Sequence, residues 1–227
     1  MSGARRLGLL GGTFDPIHNG HVDAADAARR TLELDEVLLI PAHDPPHKPL
    51  DPHASPFHRF ALAALAGQQH PWLRVSDMEL RRQGPSYTVN TLRSLQAAGW
   101  GASQLFFILG ADAFAEIAAW REFPAVMDLA NFVVVARPGT TLDAAIGRTP
   151  ALGARLRSLA AMRGDSPDTG VVLVEARTRD ISSTVVRSRL AAQQPIDELV
   201  PAPVARHIVA HQLYGAVNHL HGQDERN

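Results

Sequence analysis

The chain has 227 residues, of which 45% are hydrophobic and 20% charged, and its formal net charge at pH 7 is −1. The basic residues are scattered, so this balance indicates a globular protein with no nucleic-acid or membrane partner. The chain has no cysteine, which excludes disulfides and thiolate chemistry and is typical of a cytoplasmic protein. No apolar stretch approaches the roughly 20 residues of a membrane span.

Five short apolar runs have the length and composition of buried strands. In chain order they read LGLL from Leu7, EVLLIPA from Glu36, LFFILG from Leu105, NFVVVAR from Asn131 and VVLVEA from Val171. Their apolar character is continuous rather than alternating, which predicts strands covered on both faces.

Helix-like segments alternate with these strands. They are DAADAARRTLEL from Asp23, FHRFALAALAGQ from Phe57, TVNTLRSLQAAG from Thr88, DAFAEIAAW from Asp112 and TVVRSRLAAQ from Thr184. The alternation predicts an α/β fold, a Rossmann-like parallel sheet flanked by helices. Two stretches, 41–53 and 163–170, have the composition of loops, but neither separates two cores. We therefore expect one domain over 1–217 and a polar, disordered tail over 218–227.

The stretch GGTFDPIHNGHV, residues 11–22, follows the first strand. Its glycines lie where parallel sheets bind ligands, and they let the backbone approach a phosphate. A turn at Asp15-Pro16 then leads into a helix that opens near Asn19 or Gly20. His18 and His21 share a face at the start of this helix, where the N–H groups already attract anions. The pattern predicts a donor site for phosphate charge that grows during a reaction.

Two other interpretations of these histidines remain open from the residues alone. Either histidine could be an ordinary packing or surface residue. The pair could also bind a metal, although it lacks the spacing and glutamate of the H-E-x-x-H motif. A third metal ligand would then come from one of four histidines in or near the first loop, His43, His47, His53 or His58.

A second polar stretch, RDISSTVVRSRL, reads as the start of a helix. Ser182, Ser183 or Thr184 can cap it, and Arg187 lies one turn in. The guanidinium of Arg187 can grip a pair of phosphate oxygens, although the stretch taken alone is more typical of an ordinary capped helix with an exposed arginine.

The stretches GGTFDPIHNGH (11–21) and ISSTVVR (181–187) resemble the two signatures of the H-x-G-H nucleotidyltransferases, specifically of nicotinate-nucleotide adenylyltransferases. The resemblance runs from about residue 6 to about 215. It continues through PPHKP (45–49), PSYTVNTL (85–92), ILGADAF (108–114), Trp120 and ARPG (136–139). It implies the nucleotidyltransferase fold with strand order 3-2-1-4-5. It also implies transfer of AMP from ATP, with Mg²⁺ bound through the ATP phosphates, to nicotinate mononucleotide.

The resemblance also implies roles for individual residues. The catalytic residues would be His18, His21, Arg187 and Lys48. ATP would be held by Gly11, Gly12, Thr13, Phe14, His18, His21, Gly110, Asp112, Ile181, Ser182, Ser183 and Arg187. The mononucleotide would be held by Lys48, Tyr87, Thr88, Trp120, Arg121 and Arg137. From the residues alone, Trp120 could instead be a core residue, Lys48 a solvated surface lysine, Asp112 a helix cap, and Ser86 or Thr88 the cap of the helix that follows.

The chain departs from the family pattern at Ala42-His43, where relatives commonly carry one or two asparagines. A preference for nicotinamide mononucleotide is the nearest alternative. A pantetheine-phosphate adenylyltransferase is less favoured, because that enzyme usually has threonine in place of His18 and a shorter chain. More distant alternatives are a dinucleotide-dependent oxidoreductase, which the absence of G-x-G-x-x-G disfavours, a histidine-ligated metal hydrolase and a nucleotide sensor. The sequence is compatible with a monomer and with a homo-oligomer.

Overall fold

The computed structural model describes residues 5–46, 53–164 and 166–216. Its centre is a six-stranded parallel sheet with the strand order β3-β2-β1-β4-β5-β6. The strands are β1 (Leu7–Gly12), β2 (Glu36–Pro41), β3 (Leu73–Val75), β4 (Leu105–Gly110), β5 (Asn131–Ala136) and β6 (Val171–Glu175). The α/β parallel fold predicted from the sequence is confirmed.

Helices cover both faces of this sheet. The described residues form α1 (Asn19–Leu32), α2 (Pro56–Gly67), α3 (Thr88–Ala97), α4 (Ala111–Ala115), α5 (Asp143–Arg148), α6 (Leu159–Arg163), α7 (Ser183–Ala191) and α8 (Ala202–Ala210). Apolar residues of α1, α2, α7 and α8 pack on one face, and those of α3 and α4 on the other. The strands between these two layers are buried on both faces, which explains their continuous apolar sequence.

All five predicted strands are present, and the predicted strand order holds for the first five. The structure adds the short strand β3 (Leu73–Val75) at one edge, which the sequence analysis did not identify, and the strand predicted from Val171 is β6 at the opposite edge. The first helix begins at Asn19, as predicted. The helix predicted from Asp112 to Trp120 is wrong in extent, because α4 ends at Ala115 and a 3₁₀ turn, Ile117–Ala119, follows.

The connections between strands place a crevice over the middle of the sheet. From β1 the chain winds outward through β2 and β3, then returns to add β4 on the other side of β1. Connections therefore diverge at the carboxyl ends of β1 and β4, where open parallel sheets bind ligands. No helix among the described residues has the length and apolar character to cross a bilayer. The single domain over 1–217 stays a prediction, and the tail 218–227 lies outside the described residues.

Candidate active site

Two stacked histidines lie at the start of α1. His18 immediately precedes the helix, and the centres of the His18 and His21 rings are 3.7 Å apart with 29° between their planes. The backbone N–H of His18 donates a hydrogen bond to Nδ1 of His21 at 3.2 Å. Since this nitrogen accepts, a neutral His21 carries its proton on Nε2 and can donate it to a ligand. The structure thus brings the two histidines together as the sequence predicted.

His18 is held in its neutral form. Its side chain is buried, with 7% exposed, and burial lowers its pKa from 6.5 to about 4 against the opposing effect of the Asp23 carboxylate. Within the described part of the chain, Nδ1 of His18 is buried without a hydrogen-bond partner. A buried polar atom of this kind indicates a place for a ligand.

We expect the low pKa of His18 to make folding stability depend on pH. The unfolded state binds a proton at His18 below pH 6.5 and the folded state only near pH 4, so stability falls as the pH is lowered through this window. Between pH 7.5 and pH 5 the loss should be about 2 kcal/mol. Urea unfolding at both pH values, with His18→Gln as the comparison, measures it. The variant should lose less stability than the wild type, and equal losses would contradict the assignment.

The loop between β1 and α1 packs against the histidine pair through Phe14. Phe14 is buried and has a left-handed backbone conformation, with φ 51°, which is costly for an aromatic residue. Its ring meets the His21 ring edge-on, with 5.1 Å between ring centres. A side chain at Gly12 would come within 3.0 Å of the Phe14 ring. The strained Phe14 and the glycine beside it therefore form the platform on which His21 rests.

The glycine between the two histidines also has a steric role. A Cβ at Gly20 would lie 3.1 Å from the carbonyl oxygen of Arg179 and 3.1 Å from Nδ1 of His18. Glycine therefore lets the segment before α7 pass close over the start of α1. At Gly11, a Cβ would meet the ring of Phe107 at 3.3 Å, so this position on β1 is also tight.

An open cleft of about 650 Å³ lies over the carboxyl ends of β1, β4 and β5. Six of the predicted site residues line it, namely His18, His21, Gly110, Asp112, Arg137 and Ile181. A Cβ at Gly110 would have no atom within 4 Å, so a ligand can approach the backbone there. Gly110 itself is the residue before α4, and the exposed Asp112 is not its N-cap, contrary to one interpretation from the sequence. Arg137, predicted to bind the mononucleotide, lies in this cleft with residues that were predicted to bind ATP.

The sequence analysis missed one wall of this cleft, the segment 178–180. Arg179 donates to the Asp23 carboxylate from its backbone N–H at 3.0 Å and from its guanidinium at 2.7 and 2.8 Å. Burial would raise the pKa of Asp23, but these bonds from Arg179 hold it below its usual value. Asp180 forms an ion pair with Arg137. The two ion pairs fix the segment across the cleft, and only the three-dimensional fold brings these partners together.

The second signature is bonded directly to the first. Ser182 caps α7 by accepting the N–H of Val185 at 3.2 Å, which confirms one of the predicted caps. Ser183 Oγ donates to the carbonyl of Pro16 at 2.9 Å. Nη1 of Arg187 donates at 2.7 Å to the backbone carbonyl of Asp15. The side chain of Arg187 is therefore already oriented by the loop that carries the histidines.

A buried arginine, which the sequence analysis also missed, ties the loops after β1 and β2 together. Arg59 on α2 is fully buried, and its guanidinium donates to four backbone carbonyls at 2.6–3.2 Å. The acceptors belong to Thr13, Ala42, His43 and Ala54. Thr13, an expected ATP-site residue, is thereby fixed through its carbonyl. Ala42-His43, the departure from the family pattern, forms part of the same anchored loop.

The residues expected around the pyridine ring lie on the face of the sheet that α3 and α4 cover. Trp120 is half-buried and meets Phe107 edge-on, with ring centres 5.7 Å apart. The Arg121 guanidinium lies 4.7 Å from the centre of the Tyr87 ring. These residues form a second group, separate from the lining of the 650 Å³ cleft.

The start of α3 differs from the capping expected from the sequence. The helix begins at Thr88, and Tyr87 rather than Ser86 or Thr88 is the N-cap residue. The Ser86 hydroxyl instead accepts the backbone N–H of His43 at 2.9 Å. This bond joins the segment before α3 to the loop after β2. Lys48, expected in the same region, lies outside the described residues.

Comparison with known proteins decides the family. The sequence model of the cytidylyltransferase-like family matches residues 9–189. A probable nicotinate-nucleotide adenylyltransferase of Roseiflexus sp. (strain RS-1) is 44% identical over 208 residues, which cover 92% of this chain and 97% of that protein. The chain belongs to the nicotinate-nucleotide adenylyltransferase family. A probable nicotinate-nucleotide adenylyltransferase of Geotalea daltonii is 37% identical, with 92% of this chain and 98% of that protein covered.

A solved structure of similar fold agrees with this family. The Plasmodium falciparum nicotinic acid mononucleotide adenylyltransferase complexed with NaAD superposes with a TM-score of 0.70, covering 93% of this chain and 98% of that one. The identity is 17%, so the likeness concerns the fold. The resemblance to nicotinate-nucleotide adenylyltransferases inferred from the two signatures is confirmed, and the oxidoreductase and metal-hydrolase alternatives are set aside.

Proposed function

We propose that the chain transfers AMP from Mg·ATP to nicotinate mononucleotide, giving deamido-NAD and pyrophosphate in NAD biosynthesis, in the cytoplasm. The observation that carries the proposal is the stacked pair of His18 and His21 at the start of α1, facing the cleft that also contains Gly110. Donors at a helix amino end suit a ligand whose negative charge increases during reaction. Sequence relatives that carry the nicotinate-nucleotide adenylyltransferase name support the choice of substrates.

In the proposed reaction, a 5′-phosphate oxygen of the mononucleotide attacks the α-phosphorus of ATP in line. The new P–O bond forms as the bond from the α-phosphorus to the bridging oxygen breaks, and pyrophosphate leaves with that electron pair. The attacking phosphate is already an anion at neutral pH, so the enzyme supplies no general base. Mg²⁺ would bind with ATP through its phosphates, with few ligands from the protein, and would neutralise part of the phosphate charge. Catalysis then depends on positioning and on stabilising charge.

The chain's own groups have distinct roles in this scheme. Nε2–H of His21 donates to the α-phosphate, because its Nδ1 already accepts the N–H of His18. His18 is a neutral imidazole in the free protein, and phosphate charge in the cleft would favour its protonated form, which donates to a phosphate oxygen. Arg187 grips the leaving phosphates. Gly110 and Ile181 line the same cleft, and we assign the nucleoside of ATP to them.

The test is release of pyrophosphate by the purified chain with Mg·ATP and each of three acceptors. These are nicotinate mononucleotide, nicotinamide mononucleotide and phosphopantetheine, with a reaction lacking acceptor as the control for ATP hydrolysis. We expect the highest kcat/KM with the nicotinate acid. A preference for the amide would retain the mechanism but overturn the acid specificity. Absence of release with every acceptor would overturn the proposed function.

A further inference from the structure

Asp15 is a buried carboxylate that the proposed reaction does not use. Its side chain is 3% exposed. One oxygen accepts the backbone N–H of Ala54 at 3.0 Å and the phenol of Tyr214 at 2.9 Å, and the other accepts the backbone N–H of His53 at 2.8 Å. Three donors from two distant parts of the chain therefore fix the orientation of this one residue.

Asp15 in turn holds Arg187 of the second signature. Its backbone carbonyl accepts from Nη1 of Arg187 at 2.7 Å, and its carboxylate lies 4.0 Å from the same nitrogen. The Arg187 side chain is 20% exposed, so one part contacts the loop and another faces solvent. A change in the orientation of Asp15 would therefore move the guanidinium.

Tyr214 reaches Asp15 from the turn Leu213–Gly215, which follows α8. Its backbone is left-handed, with φ 58°, a conformation that costs energy outside glycine and is often retained at functional sites. Burial and the Asp15 carboxylate raise the pKa of the Tyr214 phenol, so it remains a donor. Burial would raise the pKa of Asp15, but the bonds from His53, Ala54 and Tyr214 and the Arg187 charge hold it lower. The hydrogen bond from the Tyr214 phenol to the Asp15 carboxylate therefore has a charged acceptor, and such bonds are stronger than those between neutral groups.

We propose that Tyr214 is a positioning residue for AMP transfer, which acts on the phosphate-gripping Arg187 through Asp15. The inference rests on the proposed function, because Arg187 matters only if the chain binds the phosphates of ATP. Tyr214 itself touches no reacting atom in this scheme. Its hydroxyl fixes the carboxylate, the carboxylate fixes the loop, and the loop carbonyl fixes the guanidinium.

The first test removes only the hydroxyl, in Tyr214→Phe. We expect kcat/KM for AMP transfer to fall by about tenfold, because a misplaced Arg187 guanidinium stabilises the developing phosphate charge less well. The KM for the mononucleotide should stay close to that of the wild type. Thr169→Val is the matched control, since it deletes a half-buried hydroxyl that donates to the carbonyl of Met127, away from the cleft. The control should retain wild-type kcat/KM.

A double-mutant cycle with Arg187→Gln distinguishes positioning from general destabilisation. If Tyr214 acts through Arg187, Tyr214→Phe should lose little further activity in the Arg187→Gln background. Wild-type kcat/KM in Tyr214→Phe, or a loss that simply multiplies that of Arg187→Gln, would overturn the inference.

A titration independent of activity tests the contact itself. The chain has two tyrosines, so the absorbance of ionised phenol can be assigned by comparison with Tyr87→Phe. Asp15→Asn should make Tyr214 ionise at lower pH than in the wild type, and an unchanged titration would overturn the contact. An inactive wild type would overturn the proposed function, whereas an active wild type with an unaffected Tyr214→Phe would overturn the present inference alone.

Discussion

His21→Ala is expected to lower kcat for AMP transfer by about 100- to 1,000-fold, equivalent to about 2.7–4 kcal/mol of transition-state stabilisation. His21 lines the cleft, its Nδ1 accepts the His18 backbone N–H and its ring packs on Phe14, so the proton of the neutral ring is on Nε2. Removing the ring deletes a donor whose bond strengthens as charge moves onto the phosphates. Steady-state kinetics with Mg·ATP and nicotinate mononucleotide measures the loss.

The control for this prediction is His70→Ala, a histidine that packs beside Trp72 away from the cleft. It should retain wild-type kcat. His21→Ala should also retain the circular dichroism spectrum of the wild type, because its side chain is only half-buried. A folded His21→Ala enzyme with full kcat would contradict the role given to this residue.

Arg59→Met should lower the free energy of unfolding by about 3–5 kcal/mol, the usual effect of breaking a buried charged network. Methionine has similar bulk but no donor, so four backbone carbonyls would lose their bonds to the guanidinium. Each buried acceptor left without a partner is costly. Burial lowers the pKa of Arg59 and the Asp15 carboxylate raises it, yet an arginine remains charged. Urea unfolding measures the change.

Arg30→Met is the matched control for Arg59→Met. Arg30 pairs with Asp26 on the surface of α1, and its side chain is 72% exposed. Exposed ion pairs contribute little, so this variant should stay within about 0.5 kcal/mol of the wild type. Equal stability of the Arg59→Met and Arg30→Met variants would show that the buried guanidinium is not the anchor of the two loops.

The sequence was sufficient to predict the parallel sheet, because a strand covered on both faces must be apolar throughout, as in NFVVVA of β5. The strand Leu73–Val75 was missed because three residues are too short to show a pattern. The helix from Asp112 was predicted too long, because its composition favours a helix while the backbone changes to a 3₁₀ turn before Trp120. Local composition carries no information about that tertiary change.

The candidate site likewise combines residues that local sequence predicts with residues that only the tertiary structure reveals. The contact between His18 and His21 was predictable. Two residues that are three positions apart at the start of a helix lie on the same face, whatever the rest of the fold is. The roles of Arg59, Asp15 and Tyr214 were not predictable, because their importance comes from partners far along the chain. Arg59 resembles any arginine in an amphipathic helix until the carbonyls around it are known.

The bond between Tyr214 and Asp15 joins residues that are 199 positions apart. During synthesis it can therefore form only after the intervening chain has been made. On the ribosome the histidine signature emerges before the hydroxyl that pairs with its buried carboxylate. The bond between Asp15 and Arg187 spans 172 positions and is likewise late. A nascent chain stopped after β6 would contain every strand of the sheet and both histidines, yet neither Arg187 nor Tyr214. The contacts that orient Arg187 can therefore form only after the segment that carries Tyr214 has been synthesised.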